Sequence, residues 1–281
     1  MSVLVFGRTG QLGRALDGRP GVVVVGRETA DLRNPAACAD LVRRMRPEAV
    51  INAAAYTDVD GAESSEDEAR LVNAVAPGAL ATACAALDIP IVHVSTDYVF
   101  DGSGDQAWRP EDRPRPLNAY GRTKAEGEGA IREAAPRHAI LRTAWVFAPD
   151  ARNFCTAILA ACQEKESLRV VSDQIGGPTP AAALADACLT VARELATGRG
   201  AYGTYHFAGW PEVSRAELAR AIVAAAGAAC EVEEIGTVEM PSPARRPLNS
   251  RLDCSLTERT FGLARPDWRP AVEAIVGREA T

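Results

Sequence analysis

The first clue to the structure is the segment Val3-Leu4-Val5-Phe6-Gly7-Arg8-Thr9-Gly10-Gln11-Leu12-Gly13, where an apolar run passes into a helix-like run. Gly7 permits a tight turn, Gly10 lets a pyrophosphate approach the backbone, and Gly13 lets the helix pack close to the sheet. The first N–H groups of a helix have no partner within it, so they face the phosphates. The segment therefore predicts a dinucleotide-binding turn. A glycine-rich turn is a weak signal alone and a strong one when a βαβ pattern follows it.

Such a pattern follows, because short β-rich runs alternate with helix-like segments over residues 1–145. The predicted strands are Val3–Phe6, Val22–Val25, Ala49–Asn52, Ile91–Ser95 and Ala139–Arg142. The predicted helices are Gln11–Asp17, Pro35–Arg46, Ser64–Asn73, Pro77–Leu87 and Ala119–Ala135. Compact runs of Val, Ile and Leu are typical of parallel strands that are buried on both faces. The pattern predicts an α/β fold with a Rossmann-type, doubly wound parallel sheet.

The alternation loosens after residue 150. Helices are predicted at Phe154–Glu164, Ala181–Thr197, Arg215–Ala226 and Ala271–Val276. Prolines cluster between residues 241 and 247 and again at Pro266 and Pro270, which indicates loops and not central strands. We therefore expect a dinucleotide-binding domain over residues 1–150. A smaller, loop-rich lobe for the substrate, interleaved with the first domain, would occupy residues 151–281.

Charge and cysteine usage exclude several classes of protein. The net charge of −6 argues against a nucleic-acid surface, because the arginines are scattered among acidic residues. No uninterrupted apolar run approaches the roughly 20 residues that span a bilayer, and the first residues carry no basic region typical of a signal peptide. The seven cysteines are odd in number and form no C-x-x-C pair. We expect a soluble cytoplasmic protein with buried free thiols, no metal site and no membrane partner.

The end of the second predicted strand indicates which cofactor binds. An acid at this position hydrogen-bonds the ribose 2′-hydroxyl of NAD, whereas an arginine suits the 2′-phosphate of NADP. This chain has Gly26-Arg27 there, and Arg8 lies in the glycine turn nearby, so two guanidinium groups could clamp one phosphate. The alternative is that Arg27 is a solvated surface residue. We expect NADPH as the cofactor, with NADH a weaker substitute, and Asp31 and Leu32 at the border of the adenine.

A tyrosine and a lysine four residues apart, Tyr120 and Lys124, share one face of the predicted helix Ala119–Ala135. Reduction of a ketone requires a proton for the new alkoxide, and a tyrosine with its usual pKa of about 10 exchanges one slowly at neutral pH. An ammonium about 4 Å away contributes on the order of 4 kcal/mol of Coulomb attraction at an effective dielectric constant of about 20. We therefore expect Lys124 to lower the pKa of Tyr120 and to hold the nicotinamide ribose. The Y-x-x-x-K pattern is common by chance, and its position after the glycine turn gives it weight.

Polar residues also follow the predicted strands at their carboxyl ends, where ligands bind in parallel sheets. Thr96 follows Ile91–Ser95 and can donate a hydrogen bond to a substrate carbonyl, which stabilises the charge that develops as a hydride arrives. Alternatively, Thr96 and Asp97 only cap the next turn. The small residues of Asn52–Thr57 could let the backbone approach the cofactor, or they could be plain packing.

Seven motifs follow one another in unbroken order over essentially the whole chain. They are Gly7–Gly13, Asn52–Thr57, Ser95–Phe100, Tyr120–Lys124, Arg142–Phe147, Asp173–Thr179 and Arg246–Asp253. Together they resemble the dTDP-4-dehydrorhamnose reductases, which belong to the extended short-chain dehydrogenase/reductase superfamily. The last two motifs are far more specific than the glycine turn.

The resemblance implies an enzyme that reduces the 4-keto group of dTDP-4-dehydro-β-L-rhamnose with NADPH, the last step in making dTDP-L-rhamnose. It implies that Tyr120 is the proton donor, Lys124 its partner and Thr96 the ligand of the carbonyl. The residues implied to contact the sugar are Thr96, Asp97 and Trp145, and those implied to contact the dinucleotide are Gly10, Gln11, Leu12, Asp31, Leu32, Ala55, Tyr56 and Thr57. A tryptophan wall suits a sugar face, although a buried tryptophan is as often core. We add Arg246 and Arg251 as candidates for the substrate diphosphate, because guanidinium pairs suit it. A surface or ion-pair role is the alternative for each.

Two other functions stay open at this point. A reductase for another dTDP-linked 4-keto-6-deoxy sugar would share every motif, because pocket shape and not the catalytic pair sets the stereochemistry. A non-catalytic regulatory subunit that binds NADP would resemble the same family, but the intact Thr96, Tyr120 and Lys124 weigh against it. For assembly, we consider a homodimer. The magnesium-dependent dimerisation of some members is not carried over to this chain.

Overall fold

The central feature of the computed structural model, which describes residues 1–279, is a six-stranded parallel sheet. The strands in chain order are β1 Val3–Phe6, β2 Val22–Val25, β3 Ala49–Asn52, β4 Ile91–Thr96, β5 His138–Thr143, β6 Val146–Phe147, β7 Ser167–Val171, β8 Ile175–Gly176, β9 Thr179–Pro180, β10 Gly203–His206, β11 Val213–Ser214, β12 Glu231–Ile235 and β13 Asn249–Ser250. The helices are α1 Gln11–Leu16, α2 Pro35–Met45, α3 Val59–Ser64, α4 Glu66–Arg70, α5 Ala76–Ala86, α6 Ala119–Ala134, α7 Phe154–Glu164, α8 Ala181–Ala196, α9 Arg215–Ala225, α10 Ser255–Phe261 and α11 Arg269–Glu279.

The strands of the central sheet lie in the order β2-β1-β3-β4-β5-β10, and all neighbours are parallel. Apolar side chains of α1 and α8 cover one face of the sheet, and those of α2 and α5 cover the other. The direction of strand addition reverses between β1 and β3, and such a switch point opens a crevice at the carboxyl ends of the strands. The predicted doubly wound α/β fold is confirmed.

The five predicted strands agree with the structure to within one residue at each end. Most of their side chains are buried because helices cover both faces of the sheet, whereas Val23 of the edge strand β2 is exposed. The sixth strand, β10, was not predicted. Its sequence, Gly-Thr-Tyr-His, contains no run of Val, Ile or Leu, so it lacks the signal that identified the others.

The predicted helix Ser64–Asn73 is wrong in its start and its end. The side chain of Asp58 accepts a hydrogen bond from the Gly61 N–H and begins α3 at Val59, and Ser65 separates α3 from α4. A π-helical turn, Leu71–Val75, then joins α4 to α5. Pro77 follows this turn, and its nitrogen cannot donate a hydrogen bond within the helix.

The continuous helical stretch Glu66–Ala86 has 21 residues and a mean hydropathy of 1.2 in its most apolar window, long and apolar enough to cross a membrane by those two criteria alone. Half of that window is buried inside the protein, and α5 packs between α2 and α6. Core helices of soluble proteins meet the same criteria, so the stretch is weak evidence for a membrane segment.

A second layer of structure forms beside the carboxyl edge of the sheet. Strands β7 and β12 pair in parallel, and β11, β8 and β13 form a small three-stranded sheet. Helices α7, α9 and α11 share an apolar core with β7. The strands of these two small sheets and helix α10 were not predicted. The proline-rich segment 241–247 is irregular, as expected. The division of the chain at residue 150 stays a prediction.

Candidate active site

The glycine turn between β1 and α1 leaves no space for side chains at two of its three glycines. Gly7 has φ of +116°, and a Cβ there would lie 2.8 Å from the backbone nitrogen of Ala54. A Cβ on Gly13 would lie 2.0 Å from the Gly7 carbonyl oxygen. Gly10 is the N-cap of α1 and has no side chain to cover the helix start. The backbone is therefore exposed as a cradle for an anion.

A continuous cleft runs along the carboxyl edge of the sheet in two parts. The first part has a volume of about 440 Å³ and lies over the ends of β1 and β2. It is lined by these predicted cofactor residues, among others: Gly7, Arg8, Gly10, Arg27, Asp31, Leu32, Ala55, Tyr56 and Thr57. The second part, of about 630 Å³, lies over β4 and β5. Its walls include the predicted residues Gln11, Leu12, Thr96, Asp97, Tyr120, Lys124 and Trp145. Both parts share walls at Thr9, Gly10 and Ala55, so one elongated ligand can occupy them together.

Charged residues that we did not predict, among them Glu28, Arg33 and Glu68, line or border the first part of the cleft. Nη1 of Arg8 lies 3.8 Å from Oε1 of Glu28, just beyond β2. Arg33 lines the cleft and forms a forked ion pair with Asp31, which lowers the pKa of that carboxyl. Arg27 is exposed at the wall of the same part. The region therefore presents three guanidinium groups, with acidic residues beside two of them.

Tyr120 lies in the first turn of α6, beside the end of β4. The side chain of Asn118 caps this helix by accepting from the Gly121 N–H at 2.8 Å. Gly121 lets the helix approach closely, because a Cβ there would lie 2.1 Å from the Tyr98 carbonyl oxygen. Burial raises the pKa of Tyr120, and a hydrogen bond with Thr96 opposes that rise. Our expectation that Lys124 lowers this pKa is not met, because the pKa is raised and Lys124 is not among the groups that shift it.

The Lys124 side chain points to the sheet and is 1% exposed. Its Nζ donates to the Val94 carbonyl at 2.7 Å and lies 3.0 Å from Nε2 of His93. Nδ1 of His93 is in turn 3.1 Å from the side-chain nitrogen Nδ2 of Asn52. Burial lowers the pKa of Lys124 to about 8, and Glu128 opposes the shift. His93 was not predicted, because it stands alone among apolar residues of a strand.

A buried ion pair lies behind the reactive end of α6. The guanidinium of Arg142 donates to both carboxylate oxygens of Glu128, at 2.8 and 2.7 Å, and both residues are at most 1% exposed. Ser95 also donates to Glu128, at 2.7 Å. These contacts tie α6 to β4 and β5, which carry the residues that face the cleft.

Asp97 is buried at the inner end of the second part of the cleft. Thr96 donates to its Oδ1 at 3.0 Å, and Ser250 donates to its Oδ2 at 2.5 Å. Burial raises the pKa of Asp97 to about 6, although both hydrogen bonds and the nearby Arg215 oppose the shift. Asp97 is thus the carboxyl group at this site whose charge changes near neutral pH.

Trp145 forms a wall of the cleft in an unusual backbone conformation, with φ of +49°. The guanidinium of Arg215 lies 3.6 Å from its ring centroid and 4.9 Å from that of Phe154. Sequence reasoning missed Arg215, which is the first residue of α9 and belongs to none of the seven motifs. Its charge, stacked on two aromatic rings, faces the cleft and suits an anionic group.

The two arginines that we proposed for a diphosphate lie in different surroundings. Arg246 lines a cavity of about 290 Å³ together with Arg215 and Phe154, next to the cleft. Its guanidinium forms a forked ion pair with Asp60, at 2.7 and 3.1 Å. Arg251 instead donates to the side chain of Asn249 at 3.0 Å, and it lines neither part of the cleft in the described residues.

Comparisons with known proteins match the chain over almost its whole length. The family model for the RmlD substrate binding domain matches residues 1–280. The dTDP-4-dehydrorhamnose reductase of Sinorhizobium fredii is 40% identical over 286 residues, 98% of this chain and 97% of the relative. That of Escherichia coli K12 is 37% identical with the same coverage.

Solved structures give the same result. A dTDP-4-dehydrorhamnose reductase from Clostridium acetobutylicum superposes with a TM-score of 0.93 at 34% identity, over 100% of both chains. Another from Bacillus anthracis, in complex with NADP, has a TM-score of 0.92 at 30% identity and covers 99% of this chain and 100% of its own.

Proposed function

Because the chain belongs to the dTDP-4-dehydrorhamnose reductase family, we propose that it reduces the 4-keto group of dTDP-4-dehydro-β-L-rhamnose with NADPH, giving dTDP-L-rhamnose. The chain is an oxidoreductase. The observation that carries the proposal is the single cleft in which the glycine cradle continues into the site of Tyr120, Thr96 and Lys124. We assign residues 1–150 to dinucleotide binding and residues 151–281 to a substrate lobe that is interleaved with the first domain, so that residues of both contact the sugar.

The residues of the cleft fit NADPH, which supplies the hydride when bound. The cradle of Gly7, Gly10 and Gly13 has the close backbone packing that a pyrophosphate site needs. Arg8 and Arg27 would bind the 2′-phosphate, with the unpredicted Arg33 nearby. Ala55, Tyr56 and Thr57 would contact the dinucleotide from the β3 side, Gln11 and Leu12 from α1, and Asp31 and Leu32 at the adenine.

Tyr120 would give its proton to the oxygen of the keto group as that oxygen gains negative charge. Its high pKa keeps the phenol protonated, so the proton is present when the reaction begins. Thr96 would donate a hydrogen bond to the same oxygen, and a donor aimed at developing charge accelerates the step. Lys124, held by β4, would bind the nicotinamide ribose and supply a positive charge beneath it.

The sugar would lie against Trp145, with Asp97 and Thr96 at its keto end. Arg215 suits the diphosphate best, because its charge already faces the cleft. Arg246 would reach the diphosphate only by sharing its guanidinium with Asp60. The contacts of Arg251 favour a supporting role. We also propose that the protein lies in the cytoplasm and forms a homodimer. Both proposals rest on its family alone.

Turnover with a panel of substrates tests the proposal. NADPH oxidation is followed with dTDP-4-dehydro-β-L-rhamnose and with other dTDP-linked 4-keto-6-deoxy sugars. The proposal expects the first compound to have the highest kcat/KM. A higher value for another sugar would favour the alternative reductase, and tight NADP binding without turnover of any sugar would favour a regulatory subunit.

A further inference from the structure

Ser250 reaches the cleft from a part of the chain that is distant in sequence from the catalytic strand. It lies in β13, and its hydroxyl donates a 2.5 Å hydrogen bond to Oδ2 of Asp97. Each of the two side chains is 2% exposed. Ser250 has no role in the reaction described above, so its contact with Asp97 needs an explanation.

The Thr96 proton has two acceptors within the protein, the carboxylate of Asp97 and the phenol oxygen of Tyr120, and the charged acceptor binds it more strongly. A hydroxyl donates once and accepts twice. The Thr96 hydroxyl accepts from the Tyr98 N–H at 3.2 Å and donates to Oδ1 of Asp97 at 3.0 Å. While Asp97 is a carboxylate, which can only accept, the Thr96 proton is bound to it. Turning that proton to a substrate carbonyl would leave a buried carboxylate oxygen without its donor, which is unfavourable.

Protonation of Asp97 reverses this hydrogen bond. A protonated carboxyl group has one O–H donor. Ser250 still donates to Oδ2, so the new proton sits on Oδ1 and faces Thr96. Thr96 then accepts from Asp97 and from the Tyr98 N–H, so its own proton leaves Asp97 and can turn to the side of Tyr120, where the carbonyl oxygen of the substrate would lie.

Burial makes this protonation accessible at about pH 6, against the effect of the groups around Asp97. Burial raises the Asp97 pKa to about 6, and Arg215 of α9 is the cation that opposes the rise. The phenols of Tyr98 and, from α6, Tyr120 also face Asp97. Burial raises the pKa of both phenols, so they stay protonated over the same range.

We propose that Asp97 and Ser250 are positioning residues that set the direction of the Thr96 hydroxyl proton: protonated Asp97, held by Ser250, frees Thr96 to donate to the substrate. The inference rests on the proposed function, because Thr96 is taken as the ligand of the keto oxygen. It assigns to Ser250 the task of keeping the Asp97 proton on the oxygen that faces Thr96.

The test is the pH dependence of kcat/KM for dTDP-4-dehydro-β-L-rhamnose at saturating NADPH, from about pH 5 to about pH 9. Wild-type kcat/KM should fall as the pH rises through about 6, where Asp97 loses its proton. Ser250→Ala removes a hydrogen bond that stabilises the carboxylate, so its midpoint should move up by about one unit. Ser172→Ala, which removes a hydroxyl outside the cleft, is the matched control and should leave the midpoint in place. In Asp97→Asn the fall of kcat/KM near pH 6 should be absent, because an amide does not lose a proton in this range.

A wild-type profile without this fall, or a Ser250→Ala profile with the wild-type midpoint, would overturn the inference. Asp97→Asn keeps the test decisive if Ser250→Ala does not fold, because a step that persists in the amide variant has another origin. Wild-type turnover separates the two proposals. Absence of NADPH oxidation would contradict the proposed function. Normal turnover, with a pH midpoint that Ser250→Ala does not move, would contradict only the role of Asp97 and Ser250.

Discussion

Nζ of Lys124 lies 3.0 Å from Nε2 of His93, so the cation of helix α6 is bound to a side chain of strand β4. The Val94 carbonyl, 2.7 Å away, fixes the same amine. Farther along α6, the carboxylate of Glu128 accepts from Ser95 of the same strand. Lys124 and Glu128 thus join α6 to β4 at two points, and this connection sets Tyr120 beside Thr96.

Removal of the Tyr120 hydroxyl should stop catalysis without preventing cofactor binding. Tyr120→Phe should lower kcat by about 100-fold or more, because the new alkoxide loses its proton donor. NADPH affinity, measured by fluorescence titration, should change little. Tyr202→Phe is the control, since it removes an exposed phenol away from the cleft. Full activity in the Tyr120 variant would show that another group gives the proton.

Loss of the Lys124 proton should limit the reaction at alkaline pH. Burial lowers its pKa to about 8, so the ammonium is present below that pH and is lost above it. We expect NADPH binding to weaken as the pH rises through about 8, because the ribose loses a charged donor. Lys124→Arg keeps its charge over the whole range, so its binding, although weaker, should show no such step. An identical step in both proteins would assign the titration to a different group.

Arg27 should discriminate between the two nicotinamide cofactors. Arg27→Ala removes a guanidinium from the proposed 2′-phosphate site and should raise the KM for NADPH roughly 10-fold or more, with a small effect on NADH. The comparison is made by steady-state kinetics with each cofactor. Arg44→Ala changes a helix arginine outside the cleft and should affect neither value. Equal losses with NADPH and NADH would mean that Arg27 does not contact the 2′-phosphate.

The pair of Arg142 and Glu128 should matter for stability far more than a surface pair. Arg142→Met leaves a buried carboxylate that keeps only its partner Arg132 and Ser95, so the free energy of unfolding should fall by about 3–5 kcal/mol. Arg169→Met breaks the exposed pairs with Glu233 and Glu239 and should cost about 1 kcal/mol or less. Urea denaturation of both variants measures the difference. Similar small losses would contradict the buried role of Arg142.

The sequence predicted those parts of the fold and site that depend on local patterns. Runs such as Val3–Phe6 identify buried parallel strands, and the glycine turn identifies the phosphate cradle. Strand β10 was missed because its sequence, Gly-Thr-Tyr-His, has no apolar run, and its burial depends on the fold around it. Likewise, the position of Lys124 depends on His93, and Arg215 enters the cleft because α9 packs there. Spacing along the chain cannot show such contacts, since they join elements that are distant in sequence.

The most direct test of the central claim follows the hydride itself. The protein is incubated with dTDP-4-dehydro-β-L-rhamnose and NADPH that carries deuterium at the transferred position of the nicotinamide, and the sugar product is examined by NMR. We expect dTDP-L-rhamnose with deuterium at C4 of the sugar. A product without deuterium at C4, a product of the opposite configuration at that carbon, or no product at all would contradict the account.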